Sequence, residues 1–345
     1  MTRERLKHWG FRLGKISGIF ALTARSAWRR RRLLILGYHG VSLEDEHLWN
    51  STLFAPPSLL RERLELLQKN RCHVLPLSEG VTRLFEGSLP DRSVALTFDD
   101  GTYDFYTRAY PLLKEFGYPA TVYLTTFYTH VQHPVPDPML SYILWKGRPR
   151  KVRTRDLGLG LDEVNTATEK ERSAAFRHMH LEMRRLRISF KEKNELIGEM
   201  AKRLGVDFDF ICRRRILHLM RPDEIRAVAD GGMDIQLHTH RHRVPRDRAL
   251  FRKEICENRN TVRMIAARND EWHFCYPDGD YDPRFFGWLR ELGIRSATTC
   301  EMDLAAPSHH NYQLPRVLDT GQAPIEFEGW ISGVASLIPR GRNGL

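Results

Sequence analysis

The sequence predicts an α/β protein built from parallel βα units. Short apolar runs of strand length alternate with amphipathic helical segments across short gaps. Three of those runs end directly in polar clusters: Asp99-Asp100, then His238 to His242, then Pro277-Asp278-Gly279. Parallel α/β folds collect their functional groups at such strand ends. Length agrees, because 345 residues with 41% hydrophobic content suit one α/β barrel with an insertion.

Residues 1–32 are basic, with Glu4 as the only acid. Leu6, Trp9, Leu13, Ile16 and Phe20 recur at helical spacing, and Arg29 to Arg32 follow. The longest apolar run, roughly Ile16 to Ala24, is too short to span a bilayer. No small-residue cleavage site clearly follows it, so a secretory signal is not expected. Two readings stay open: an amphipathic helix lying on an anionic membrane, or a helix docked on the protein's own core.

Leu33 to Val41 reads as a buried strand, and Pro57 to Lys69 as a helix with Ser58 as its cap. Residues 72–77 form a short strand candidate and 94–98 a strand buried on both faces. A helix over 109–117 closes at Gly117, and 120–126 is the next strand. From about 130 to 220 the rhythm breaks into a basic, largely helical excursion, with most of Thr168 to Leu204 helical. Such an excursion is a lid, a binding loop or an inert insertion. The rhythm resumes with helices over 221–232, 248–267 and 283–293, and strands over 233–237, 272–277 and 295–299. The terminal Pro-Arg-Gly-Arg-Asn-Gly-Leu reads as a frayed tail.

The five cysteines, Cys72, Cys212, Cys256, Cys275 and Cys300, are odd in number and lack C-x-x-C spacing. That argues against a disulfide framework and a cysteine zinc site, and for a reducing compartment. The net charge of +11 predicts attraction to polyanions without saying which.

Two neighbouring aspartates on a regular strand point to opposite faces. At a strand end followed by Gly101 the backbone can turn both into one pocket, where their repulsion calls for a cation. One carboxylate can ligate a divalent metal while the other stays free as a base. His238 with either His240 or His242 can complete two imidazoles and one carboxylate, a set that leaves coordination positions open.

Thr97-Phe98-Asp99-Asp100-Gly101, His238 to His242 and Tyr276 to Gly279, in this order, resemble the polysaccharide deacetylase family of carbohydrate esterases. Tyr38-His39-Gly40-Val41 and Leu314-Pro315-Arg316-Val317 also recur in one bacterial branch. The resemblance implies a distorted (β/α)7 barrel over about 33–335, interrupted by the insertion. It implies a hydrolase of non-peptide carbon–nitrogen bonds: a metal-dependent N-deacetylase, with zinc as the expected ion. Asp100, His238 and His242 would be the ligands, with Thr239 supporting the loop, and Asp99 the general base. The backbone N–H of Asp278 would donate to the developing oxyanion.

Two positions depart from the family pattern. Cys275 stands where an arginine usually pairs with the base, and Arg316 is the candidate replacement. The usual late Leu-x-x-His strand is not visible, so His39 is the candidate general acid, with His309 and His310 as weaker options.

The expected substrate is an N-acetylated glycan or glycolipid of the GlcNAc type. The expected location is cytoplasmic, with peripheral contact to an anionic membrane. The alternative is an inactive barrel serving as a basic module for acidic glycan or nucleic acid. Nucleic acid is not expected, because aromatic residues are not interleaved with the basic runs.

Overall fold

A computed structural model describes residues 3–131, 133–147, 150–267 and 271–338. Seven parallel strands form its centre: β1 (Leu34–Tyr38), β2 (Ser93–Phe98), β3 (Thr121–Leu124), β4 (Asp234–Leu237), β5 (Trp272–Cys275), β6 (Ile294–Thr298) and β7 (Val317–Leu318). They pair in chain order from β1 to β6, with β7 on the far side of β1. Leu314 bridges Thr298 at the end of β6, while Val317 and Leu318 pair with Leu36 and Gly37 of β1. The segment before and within β7 therefore joins the two edges of a curled sheet. His73–Val74 adds a short strand beside the start of β2.

Strand alternation sorts the side chains. Leu34, Leu36, Val94, Leu96, Val122 and Ile235 join the large cluster against the surrounding helices. Ile35, Ala95, Tyr123 and Cys275 join a separate, smaller cluster with Leu77, Val81 and Leu84 of the helix Leu77–Glu86. The same alternation buries polar side chains, among them Thr97, Gln236, His273, Ser296 and Thr298. Gly37 in β1 has a packing reason: a Cβ there would meet the Leu318 side chain at 2.6 Å.

Two sequence expectations need correction. The helix Pro57–Lys69 begins with Pro57 in its first turn and has no side-chain cap, so Ser58 does not cap it. Most of Thr168 to Leu204 is helical as expected, in two helices, Glu169–Arg185 and Phe190–Leu204. Arg187 adopts a positive φ between them, and each helix starts at a capping box, Thr168 with Glu171 and Ser189 with Glu192. Lastly, the apolar residues of the N-terminal helices do not share one face. Phe20 is buried whereas Trp9, Leu13 and Ile16 are exposed. The side chain of Leu6 and the tail 339–345 lie outside the described residues.

The excursion is far from inert in packing terms. Its helices, with Pro136–Lys146, enclose a core of their own that includes Met139, Ile143, Met179, Ile197 and Met200. Phe54, between β1 and the helix Pro57–Lys69, packs into that core and ties it to the barrel.

Candidate metal centre and catalytic cleft

The pocket at the carboxyl ends of the strands is made by turns, and the turns are left-handed. Asp100, Thr239, His242 and Asp278 all have positive φ, from 52° to 68°. Non-glycine residues rarely adopt this region, and such strain gathers where a site over-determines the backbone. At Gly101, φ is 76° and a Cβ would meet Leu124 at 2.2 Å, so only glycine fits. Asp99 keeps the phase of Ala95 and Thr97. The reversal at Asp100 and Gly101 then turns the second carboxylate toward the histidine loop.

The two aspartates have different partners. Asp100 Oδ1 lies 3.4 Å from His238 Nε2 and 3.3 Å from His242 Nε2. It is a buried oxygen with no hydrogen-bond partner. His238 sits with Nδ1 2.8 Å from the Cys275 carbonyl. Donation there fixes the tautomer and leaves the Nε2 lone pair facing Asp100. The three donor atoms fit a divalent ion, since a tetrahedral site with bonds of about 2.0–2.2 Å has edges of about 3.3 Å between ligands. The orphaned Asp100 oxygen is the observation that calls for such an ion.

Asp99 is gripped by Arg316 in a bidentate pair, Nη1 to Oδ1 at 2.7 Å and Nη2 to Oδ2 at 2.8 Å. Both side chains are buried. Burial pushes the Asp99 carboxyl up in pKa, but the Arg316 charge and hydrogen bonds outweigh it and hold the group at about 2. Asp100 falls below the usual carboxylate range in the same way: burial raises it, and the neighbouring imidazoles lower it further. Asp99, His238 and Cys275 also lie close together. With both Asp99 oxygens held by Arg316, that trio is the poorer ligand set. Arg316 Nη2 also lies 3.0 Å from the sulfur of Cys275, the residue that stands where the family pattern has its arginine, so a guanidinium from beside β7 reaches Asp99 next to that position.

His39 follows β1 and brings Nε2 to 3.7 Å from Asp99 Oδ2. His39, Asp100, His242 and the exposed turn residue Asp278 line one cleft of about 430 Å³. The insertion supplies much of its opposite wall, through Asp137, Ser141, Phe176 and Leu217. His240 points elsewhere, with Nδ1 2.8 Å from Thr126 Oγ1. His309 and His310 do not line the cleft; His309 Nδ1 accepts from the Ala306 N–H and His310 stacks on Phe286. Thr239 Oγ1 accepts from the Arg243 N–H at 3.1 Å and braces the loop.

Sequence reasoning missed the residues that hold this loop from behind. Glu254 and Asn258 lie four apart on the helix Arg248–Ala266, facing inward. Asn258 Oδ1 accepts from the His238 N–H, and its amide donates to Leu124 O and Thr126 Oγ1. Glu254 accepts from the Arg241 N–H at 2.8 Å and from the Arg243 side chain. The available signal was a pair of polar residues at helical spacing among Phe251, Ile255 and Val262.

A seven-stranded parallel barrel with a carboxylate–imidazole centre and a free, arginine-held carboxylate defines the class: a metal-site barrel with hydrolytic potential. The chain belongs to the polysaccharide deacetylase family, whose model matches residues 86–152 and 175–297. It is 32% identical over 102 residues to the poly-beta-1,6-N-acetyl-D-glucosamine N-deacetylase of Escherichia coli K12, covering 29% of this chain and 15% of that enzyme. The matched segment thus spans under a fifth of the length of that relative. Two solved structures share the fold. The Streptococcus pyogenes deacetylase PplD aligns with a TM-score of 0.57 at 17% identity, over 89% of this chain and 99% of that one. IcaB from Ammonifex degensii aligns with a TM-score of 0.55 at 16% identity, over 87% and 97%.

Proposed function

We propose that the protein is a metal-dependent N-deacetylase. It hydrolyses the acetamide of a GlcNAc-type sugar, in a polysaccharide, an oligosaccharide or a lipid-linked form, to free amine and acetate. One observation carries the reading: two adjacent aspartates are given opposite tasks, one aimed at two imidazoles and one held ionised beside a histidine. The E. coli relative, named for deacetylation of poly-beta-1,6-N-acetyl-D-glucosamine, supports the substrate class.

Asp100, His238 and His242 would hold the ion, for which zinc suits the mixed nitrogen and oxygen donors. When bound, such an ion polarises a carbonyl and lowers the pKa of a water. Asp99, kept anionic by Arg316, accepts the proton of the attacking water. The Asp278 N–H, in its left-handed turn, donates to the oxygen that gains charge. His39, on the cleft wall beside Asp99, returns a proton to the departing amine, so that acetate and a free amino group leave.

The test is acetate release from a panel of acetylated glycans, with and without chelator. Metal-loaded wild type is expected to release acetate, and chelator to abolish it. Asp99→Asn is expected to lose at least about 100-fold in kcat while still binding metal, and His39→Gln about 100-fold. Absence of release from every acetylated glycan by metal-loaded protein sinks the reading.

A further inference from the structure

We propose that the N-terminal helices, together with the last described helix, form a docking face for an anionic lipid bilayer. The helices Arg3–Ile16 and Ile19–Arg25 turn on Gly18 and lie against the helix Pro324–Ser332. That contact is specific. Phe11 and Phe20 meet edge to face at 6.1 Å and are buried. A Cβ at Gly329 would meet the Phe11 ring at 2.7 Å, so the two helices approach closely there. Lys7 pairs with Glu326, and Lys15 with Glu328.

The outward side is apolar. Trp9, Leu13, Ile16, Ile19 and Leu22 are all exposed, Ile16 to 83% and Leu22 to 72%. Leu337 and Ile338 add to them at the helix Val334–Leu337, which packs on Ile19–Arg25. Seven of the fifteen large apolar side chains exposed among the described residues thus lie on these three mutually packed helices and the residue that follows them. Scattered apolar side chains on a surface are ordinary, whereas a contiguous patch marks a binding face.

The rim of the patch says what covers it. Arg12 is one helical turn from both Trp9 and Ile16, and Arg25 is one turn from Leu22. Arg12, Arg25 and Arg31 are exposed, and no ion pair forms on them among the described residues. Residues 3–32 carry ten Lys and Arg against one acid. An apolar stripe edged by unpaired cations suits the boundary between anionic headgroups and acyl chains. A second copy fits poorly, because two-fold pairing would bring two strongly cationic faces together. No helix among the described residues is long and apolar enough to cross a membrane, so the contact lies in the interface. No residue lining the catalytic cleft belongs to these helices, and lipid contact leaves the cleft lining free.

Vesicle sedimentation of the full chain tests this, using phosphatidylcholine with and without phosphatidylserine. Binding is expected only with phosphatidylserine, weakening as salt rises. Ile16→Asp with Leu22→Asp is expected to cut binding about tenfold or more. Arg12→Glu with Arg25→Glu is expected to do the same. Both variants keep the wild-type melting temperature, since the changed side chains point outward. The proposal is overturned by absence of vesicle binding, by equal binding to neutral vesicles, or by unchanged binding of the Ile16/Leu22 variant. It is equally overturned if those substitutions only turn a dimer into a monomer.

Discussion

Two fully buried arginines sit in different regions of the barrel and do different work. Arg316 lies among the carboxyl ends of the strands and faces a carboxylate. Arg29 lies near their amino ends and faces only backbone carbonyls, at Ile331, Arg32 and Ser93, the first residue of β2. Burial lowers the Arg29 pKa to about 10, whereas the Asp99 charge more than offsets burial at Arg316 and pushes it above its usual value. The Arg29 arrangement satisfies backbone carbonyls from three segments and acts as a staple. The Arg316 arrangement keeps a second charge ionised and oriented in a dry pocket beside the candidate metal ligands.

The comparison breaks most easily at Arg316. Arg316→Met leaves Asp99 buried without its counter-charge and is expected to destabilise the protein by about 3–5 kcal/mol in urea unfolding. Acetate release should fall in the same variant even where it remains folded, because the base is no longer held ionised. A variant of wild-type stability and turnover would mean that the pair is incidental.

Acid sharpens the contrast. The Asp99 carboxyl titrates at about 2 in the fold against an ordinary 3.8. A depressed carboxylate contributes stability in full above its ordinary value and loses it as pH falls through the depressed one. Unfolding of metal-free wild type and Asp99→Asn should therefore draw together by about 2 kcal/mol between pH about 4 and about 2. A constant difference across that window would contradict the assignment.

The smallest effect is expected at Arg29. Arg29→Met leaves three carbonyls without their donor but also removes a desolvated charge. A net loss of about 1–2 kcal/mol is expected, with turnover on a soluble substrate unchanged. A fall in turnover at constant stability would show that the two ends of the barrel are coupled.

What could be read in advance followed from local rules. Strand and helix runs were legible because burial imposes a period on the sequence, and each strand of the barrel contains or abuts an apolar run. Asp99, Asp100 and His238 were legible because they follow such runs directly, whereas the choice of His242 over His240 came from the family pattern alone. Arg316 was legible only through the family pattern, as the candidate for the arginine missing at Cys275; nothing local to it shows the pairing with Asp99, which needs the fold to bring residues 217 apart to 2.7 Å. Glu254 and Asn258 were hidden because a polar residue on a helix looks solvated until one knows which face is turned inward. The break at Arg187 was written in the Ser189–Glu192 capping box, which helical periodicity alone does not register.

The sequence by itself determined the order of βα units, the chemical types available at the strand ends and the basic character of the first thirty residues, because period, residue chemistry and charge are local properties. The two aspartates were told apart in advance only by the family resemblance; the tertiary structure is what turns Asp100 toward the imidazoles and Asp99 toward Arg316, and what leaves one side of the N-terminal helices bare. Those outcomes depend on backbone reversals and close packing between distant segments, and no single stretch of chain contains them.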